Sequence, residues 1–452
     1  MRTLPNTYHL VIGLGTSGMS MARFLHSIGR SVVATDMDAS KTDAAEQLNM
    51  LGIQTQIGFH DPHTFNHAAV LVPSPGIPAT NTYIRAALNS GVKLSSELDI
   101  FFEFNDRPVI AITGTNGKTT TTTLIGDMLR ACGKTVFVGG NIGTPLVDHL
   151  MQEEKADIIV AEISSFQLDI SKQFKPEIGI LLNISQDHLD RYDSFKAYED
   201  SKWSLFSRQE KSNFAVINTA IKGYKSRSEK LTSTPLTFSS QKDAKNTCNA
   251  IISSDDITIH FEETRHRIDI RDLKQLSGTH NHENIAAAVL ACLAAGADIS
   301  GIQNGLAQFK NLAHRIQWVR DINGIRFYND SKGTNTDAVI RAIQCFDSKI
   351  ILILGGREKH TDFSELLPAV TQQVKTIIAI GESRQNITRT FKSTCPVIEA
   401  QTMEQAVQMA FHAADKNETV LLSPACASFD MYDNYSHRGN DFMNHVNQLE
   451  SR

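Results

Sequence analysis

The residues best suited to chemistry stand at Thr113-Gly114-Thr115-Asn116-Gly117-Lys118-Thr119-Thr120, directly after the apolar run Val109–Ile112. A glycine-rich loop between a strand and a helix can cradle phosphates with its backbone amides. Lys118 would neutralise β- and γ-phosphate charge, and the Thr119 hydroxyl is of the kind that reaches Mg²⁺. The loop is shorter than the usual Walker pattern, because Ile112 stands where that pattern has its first glycine. What remains is a compressed G-x-x-G-K-T-T after a buried strand, and it implies nucleotide binding with phosphoryl chemistry. A second glycine loop lies at Gly13-Leu14-Gly15-Thr16-Ser17-Gly18, which fits G-x-G-x-x-G. Asp36 closes the next apolar segment, Ser31–Thr35, where a ribose-binding acid would sit. Taken alone, this second loop suits a nicotinamide-dependent enzyme, a nucleotide-sugar binder or a plain tight turn.

Loops of this kind need buried parallel strands to present them. Short Val/Ile/Leu runs without polar alternation recur at Leu10–Ile12, Val109–Ile112, Asp157–Ile163, Ile178–Ile184, Ala215–Asn218, Ile350–Leu354, Thr376–Ile380 and Thr419–Leu422. Such runs suit strands covered on both faces, so the expected class is α/β with several doubly wound units. Joints are expected near Ser95–Asp99 and Lys310–Ala313. They divide the chain into domains at 1–97, 98–312 and 313–452. The polar stretch from Gly223 to Lys274, with β-type pieces such as Ile257–Phe261, reads as an elaboration of the middle domain.

Composition narrows the function classes. A chain of 452 residues with formal charge −5 offers no basic surface for nucleic acid. Its six cysteines include no C-x-x-C pair, which gives no support to zinc ribbons or thioredoxin-like chemistry and fits reduced thiols in a cytosolic protein. There is no signal-peptide layout and no apolar run near the roughly 18 residues of a membrane span. A cytoplasmic protein is expected.

The strand–T-G-T-N-G-K-T-T–helix block resembles the phosphate loop of the Mur ligases and of folylpolyglutamate synthases. Further blocks follow in the family's order: Gly140-Asn141-Ile142-Gly143, the strand Asp157–Ile163 carrying Glu162, and Asn183-Ile184-Ser185-Gln186-Asp187-His188-Leu189-Asp190. Then come Lys202, Gly278-Thr279-His280-Asn281-His282-Glu283-Asn284, His314-Arg315 and Asp330-Ser331-Lys332-Gly333-Thr334-Asn335. Folylpolyglutamate synthases lack the N-terminal glycine-loop domain, so the Mur ligases fit better. The fold this resemblance implies is a Rossmann-like N-terminal domain, a P-loop mononucleotide-binding central domain and a Rossmann-like C-terminal domain.

Several roles are implied by the resemblance alone. Gly114 through Thr120, Asn281, Asn284, Arg315 and Asp330 would bind ATP. Thr119, Glu162, His188 and Lys202, the last carbamylated by CO₂, would hold two Mg²⁺ ions, with Mn²⁺ as a substitute. Lys118, His188, Lys202 and Arg315 would be the catalytic residues, and Lys332 would help to cap the closed site. The N-terminal loop then becomes a substrate site, with Gly15, Thr16, Ser17, Asp36, Ser74, Asn141 and His188 contacting a UDP-linked substrate. Where the family often has Thr-Arg after the acidic residue, Met37-Asp38 follow Asp36 here.

The chain has no D-N-P-R motif of the lysine- or diaminopimelate-adding members. It also lacks the G-x-G-G-x-G-M loop typical of the L-alanine-adding ones. Instead Leu354-Gly355-Gly356-Arg357-Glu358-Lys359 and Ser423-Pro424-Ala425-Cys426-Ala427-Ser428-Phe429, followed by Tyr435, resemble the D-glutamate-adding members. Thr334, Lys359, Ser428, Phe429 and Tyr435 would line the D-glutamate site, and Cys426 would be a packed thiol. The implied reaction couples D-glutamate to UDP-N-acetylmuramoyl-L-alanine through an acyl phosphate, forming ADP and phosphate in peptidoglycan precursor synthesis. These small molecules would be the partners of a monomer. The rival classes are an NAD-dependent dehydrogenase and a non-catalytic nucleotide or nucleotide-sugar sensor.

Overall fold

In the computed structural model, the described residues are 4–188, 191–241, 248–273, 276, 278–358 and 361–450. The apolar runs pair into three separate sheets. The first holds five parallel strands in the order Gln54–Ile57, Val32–Asp36, His9–Ile12, Val70–Pro73, Lys93–Leu94. Leu10 pairs with Val33 on one side and Leu71 on the other, and both Leu10 and its neighbour Val11 are buried. Burial of successive residues means that both faces of the strand are covered, which explains the unbroken apolar text.

The second sheet has nine strands. Their order is Thr264–Asp269, Asp256–Phe261, Ala250–Ile252, Thr234–Ser239, Phe214–Asn218, Ile178–Leu181, Val109–Thr113, Ile158–Glu162, Val136–Gly140. The strands at the Thr264–Asp269 edge pair antiparallel and the remaining pairs are parallel. Val109–Thr113 is flanked by Ile158–Glu162 and Ile178–Leu181, so successive connections leave it in opposite directions. That reversal opens a crevice at the carboxyl ends of the strands, where ligands of doubly wound sheets bind. The polar stretch after Gly223 supplies four strands of this sheet. In Asp256–Phe261 the residues Ile257 and Ile259 are buried while His260 is exposed. One-sided burial of this kind produces alternating text that reads as irregular.

The third sheet runs Gln317–Ile322, Ile325–Asn329, Thr419–Leu422, Ile350–Leu354, Val374–Ala379, Val397–Glu399, with only the first pair antiparallel. By their contacts the residues form two compact units. One comprises 1–183, 198–270 and 283–308 and holds the first two sheets. The other comprises 184–197, 271–282 and 309–452 and holds the third sheet.

Candidate active site

In the first unit the compressed phosphate loop is held from several sides. Gly114 and Gly117 have φ of 154° and 86°, conformations that side chains other than glycine's rarely accept. Gly117 starts the helix Lys118–Ala131, so the positive end of that helix dipole faces the loop. A Cβ on Gly117 would also strike the amide oxygen of buried Asn284. The loop is clipped to the neighbouring strand end. Asn183 accepts from Thr115 N–H through its carbonyl (3.1 Å) and from Asn116 N–H through Oδ1 (2.9 Å). Its Nδ2 donates back to the Asn116 carbonyl at 3.0 Å. Thr115 Oγ1 lies 3.0 Å from the hydroxyl of Tyr198.

The charged groups sit around this frame. Lys118 Nζ donates to the carbonyls of Gly114 (2.8 Å) and Thr115 (2.9 Å), folded over its own loop. Glu162, at the end of the adjacent strand, is only 2% exposed. Its carboxylate accepts from Thr119 Oγ1 at 2.8 Å and from Asn141 Nδ2 at 2.9 Å. Lys202 is equally buried; its Nζ donates to Gly114 O at 2.9 Å and lies 4.6 Å from the centre of the Tyr198 ring. Among the described residues no group of three or more His, Cys, Asp and Glu side chains is gathered for a metal. One hydroxyl and one carboxylate in contact nevertheless fit Mg²⁺, which keeps waters and completes its shell with substrate phosphate oxygens.

The N-terminal glycine loop carries no lysine and is shaped by tight backbone packing. Gly13 (φ 90°) follows the central strand, and a Cβ on Gly18 would collide with the Gly13 carbonyl. Gly18 therefore serves helix–strand packing. A Cβ on Gly15 would meet nothing within 4 Å, so that glycine leaves the mouth of the loop open. Asp36 braces the loop: its carboxylate accepts from Leu14 N–H at 2.7 Å and from Asp38 N–H at 2.9 Å. Ser74 Oγ donates to Gly13 O from beneath at 3.0 Å. Thr16 and Ser17 open the helix Thr16–Ser27.

In the second unit the segment His314–Ile316 carries backbone strain. His314 and Ile316 have φ of 62° and 43°, the latter a costly conformation for a β-branched residue, and they flank Arg315. His314 is buried, and its Nδ1 accepts from Asn329 Nδ2 at 2.9 Å. The Asn329 amide is oriented by Ser331 N–H, which donates to Oδ1 at 3.0 Å. Asp330 is buried and accepts from Ser423 Oγ at 2.7 Å. Burial pushes its carboxyl up to about 7, opposed by that hydrogen bond and by Arg315. Lys332 Nζ lies 3.9 Å above the ring of Tyr435. Ser428 is buried and Phe429 is exposed, side by side.

The sequence model of the Mur ligase middle domain matches residues 112–292. That of the glutamate ligase domain of Mur ligases matches 314–426, and a MurD-like N-terminal domain matches 7–96. The UDP-N-acetylmuramoylalanine–D-glutamate ligase of Desulfosudis oleivorans is 40% identical, over 98% of this chain and 96% of that protein. The enzyme of the same name from Desulfatibacillum aliphaticivorans is also 40% identical, over 97% and 98%. The chain belongs to the Mur ligase family. Solved ligase structures share the fold. A pseudomurein peptide ligase type C from Methanothermus fervidus superposes with TM-score 0.63 at 19% identity, covering 98% of this chain and 100% of that one. The UDP-N-acetylmuramate–alanine ligase of Thermotoga maritima gives 0.62 at 17%, with the same coverage.

This Mur ligase gathers Lys118, Thr119, Asn141, Glu162, Lys202 and Asn284 around one loop in its first unit. His188, Arg315, Asp330, Thr334, Ser428, Phe429 and Tyr435 belong to the second unit, as does Asn281 near the start of the helix Thr279–Ala294. Lys359 and the Leu189-Asp190 pair lie outside the described residues. Burial pushes the Cys426 thiol up to about 12, which suits the packed role read from the sequence. Sequence reasoning gave no role to Arg438. This buried guanidinium donates to the carbonyls of Ser331, Cys426 and Ala427 and to Ser331 Oγ, tying together the two loops of the third sheet. Its sequence signal was only an arginine three residues after Tyr435. Tyr198 and Asn183 were likewise missed as loop supports, because their bonds join segments far apart in the chain.

Proposed function

We propose that this Mur ligase joins D-glutamate to the alanyl carboxylate of UDP-N-acetylmuramoyl-L-alanine, consuming ATP and releasing ADP and phosphate. The observation that carries the reading is the phosphate loop with Lys118 and the Thr119–Glu162 contact, in a chain 40% identical, over nearly its whole length, to proteins named for this reaction. The alanyl carboxylate oxygen bonds to the γ-phosphorus as the bond to ADP breaks. The D-glutamate amine then bonds to the acyl carbon, gives up a proton, and phosphate leaves. Such transfers need charge neutralisation and alignment more than covalent help from the protein.

The residues divide that work. Lys118 leaves its loop carbonyls to neutralise phosphate oxygens, while the loop amides and the helix N-terminus hold the chain of phosphates. Thr119 and Glu162 would hold Mg²⁺, and His188 and a carbamylated Lys202 a second ion. When bound, these ions screen the negative charge on both reacting groups. Lys202 suits a carbamate because its buried amine is shielded from bulk water. Arg315 and Asp330 complete the ATP site, with Asn281 and Asn284 on the nucleoside. Gly15, Thr16 and Ser17 hold the uridine diphosphate, on a loop shaped by Asp36 and Ser74. Thr334, Lys359, Ser428, Phe429 and Tyr435 receive D-glutamate, beside Lys332.

No helix among the described residues is long and apolar enough to cross a membrane. A cytoplasmic monomer acting on soluble substrates is proposed from the family resemblance. The test is phosphate release by the purified protein with ATP, Mg²⁺, UDP-N-acetylmuramoyl-L-alanine and a panel of amino acids of both chiralities. Release with D-glutamate far above the rest is expected. Equal release with L-alanine, or none with any amino acid, would sink the assignment.

A further inference from the structure

The His188 segment is fastened to the start of one helix in the second unit, and a single amide decides how. Asn335 is the N-cap of the helix Thr336–Ile343. Its Oδ1 accepts from Ala338 N–H at 2.8 Å, which fixes the amide plane and turns Nδ2 the other way. Nδ2 then donates to Asp187 Oδ2 at 3.1 Å. The remaining oxygen, Asp187 Oδ1, accepts from the backbone N–H of His188 at 2.8 Å. His188 itself sits at φ 56°, a conformation that a non-glycine residue keeps only when its surroundings impose it. A second tie lies alongside: Ser185 Oγ donates to Asp337 Oδ2 at 3.2 Å, and Arg341 Nε donates to the same oxygen at 2.9 Å.

We propose that Asn335 is a positioning residue for the ligase reaction: it orients Asp187 and, through it, holds the strained backbone that aims the His188 ring. The inference rests on the proposed role of His188 in the acyl-phosphate site. The site needs asparagine for a chemical reason. Serine, threonine or aspartate would also cap the helix, but none offers a cap oxygen and an amide donor at the two ends of one planar group. Aspartate at this position would set a second carboxylate against Asp187.

The experiment follows from that asymmetry. Asn335→Asp keeps the cap, so its melting temperature should stay close to that of the parent. Its kcat for ADP formation should fall by about 10–100-fold, the loss typical of a small misplacement, while the KM values for ATP and the nucleotide sugar stay within about twofold. Adding Asp187→Asn restores one donor and one acceptor across the contact, and should recover most of the lost kcat. An unchanged kcat in Asn335→Asp overturns the proposal. So does a loss that Asp187→Asn fails to repair, because helix disruption alone would not respond to the exchange. If the parent protein forms no ADP with its three substrates, it is the ligase reading that fails, and the two failures are distinguishable.

Discussion

The two glycine loops of the first unit share one local design and differ in what surrounds them. Each follows a central parallel strand and opens a helix: Gly13–Gly15 before Thr16–Ser27, and Gly114–Gly117 before Lys118–Ala131. The first is braced by Asp36, which takes the Leu14 and Asp38 amides, and it has no lysine within the loop. The second carries Lys118 and the Thr119–Glu162 pair and has Lys202 on its Gly114 carbonyl. Backbone amides alone suffice to hold a diphosphate that stays intact. Moving a phosphoryl group requires cations and a metal-ready carboxylate as well. On the proposed function, one strand–glycine–helix design serves both loops, and the charged side chains around each distinguish holding a phosphate from transferring it.

The largest break in this contrast should come from Lys118→Ala. It should lower kcat by about 10²–10³-fold, as loss of one preorganised charge-stabilising donor does. Binding of the nucleotide sugar, measured by calorimetry, should not change. Thr119→Val removes a hydroxyl that contacts Glu162. Its kcat should fall by about 10–100-fold, with a higher Mg²⁺ concentration needed for half-maximal rate. The N-terminal loop should answer differently. Gly15→Ala adds a methyl into open space, so stability should stay within about 0.5 kcal/mol while the KM for the nucleotide sugar rises and that for ATP does not. Gly18→Ala drives a methyl into the Gly13 carbonyl, so it should cost about 1–3 kcal/mol in denaturant unfolding.

The smallest expected effect concerns the helix Glu97–Phe104 that leads from the first sheet towards the second. Burial pushes the Glu97 carboxyl up to about 7. Between its ordinary value of 4.5 and that value, the folded protein binds more protons than the unfolded chain. Stability from this group therefore falls as pH rises through that window. Glu97→Gln should gain melting temperature relative to the parent at pH 8 and little at pH 5.

Much of this was legible in the sequence because the signals were local. Strands buried on both faces gave continuous apolar runs, and Ile350–Leu354 and Thr419–Leu422 have the bounds their text implies. The phosphate loop and Glu162 were legible for the same reason, as short motifs tied to strand ends. The strands Thr234–Ser239 and Thr264–Asp269 were not: the first buries Leu236, Thr237, Phe238 and Ser239 in succession with two hydroxyl residues among them, and the second is mostly exposed, so neither shows an apolar run. Nor were the roles of Asn335 and Arg438. Their hydrogen bonds reach Asp187 and the 426–427 loop, and no spacing in the chain encodes a bond between distant segments.

The most direct test of the account labels the reacting oxygen. UDP-N-acetylmuramoyl-L-alanine carrying ¹⁸O in its alanyl carboxylate is turned over with ATP and D-glutamate, and the released phosphate is weighed by mass spectrometry. Attack of that carboxylate on the γ-phosphorus predicts one ¹⁸O atom transferred into phosphate per amide formed. Phosphate whose new oxygen comes from water would contradict it.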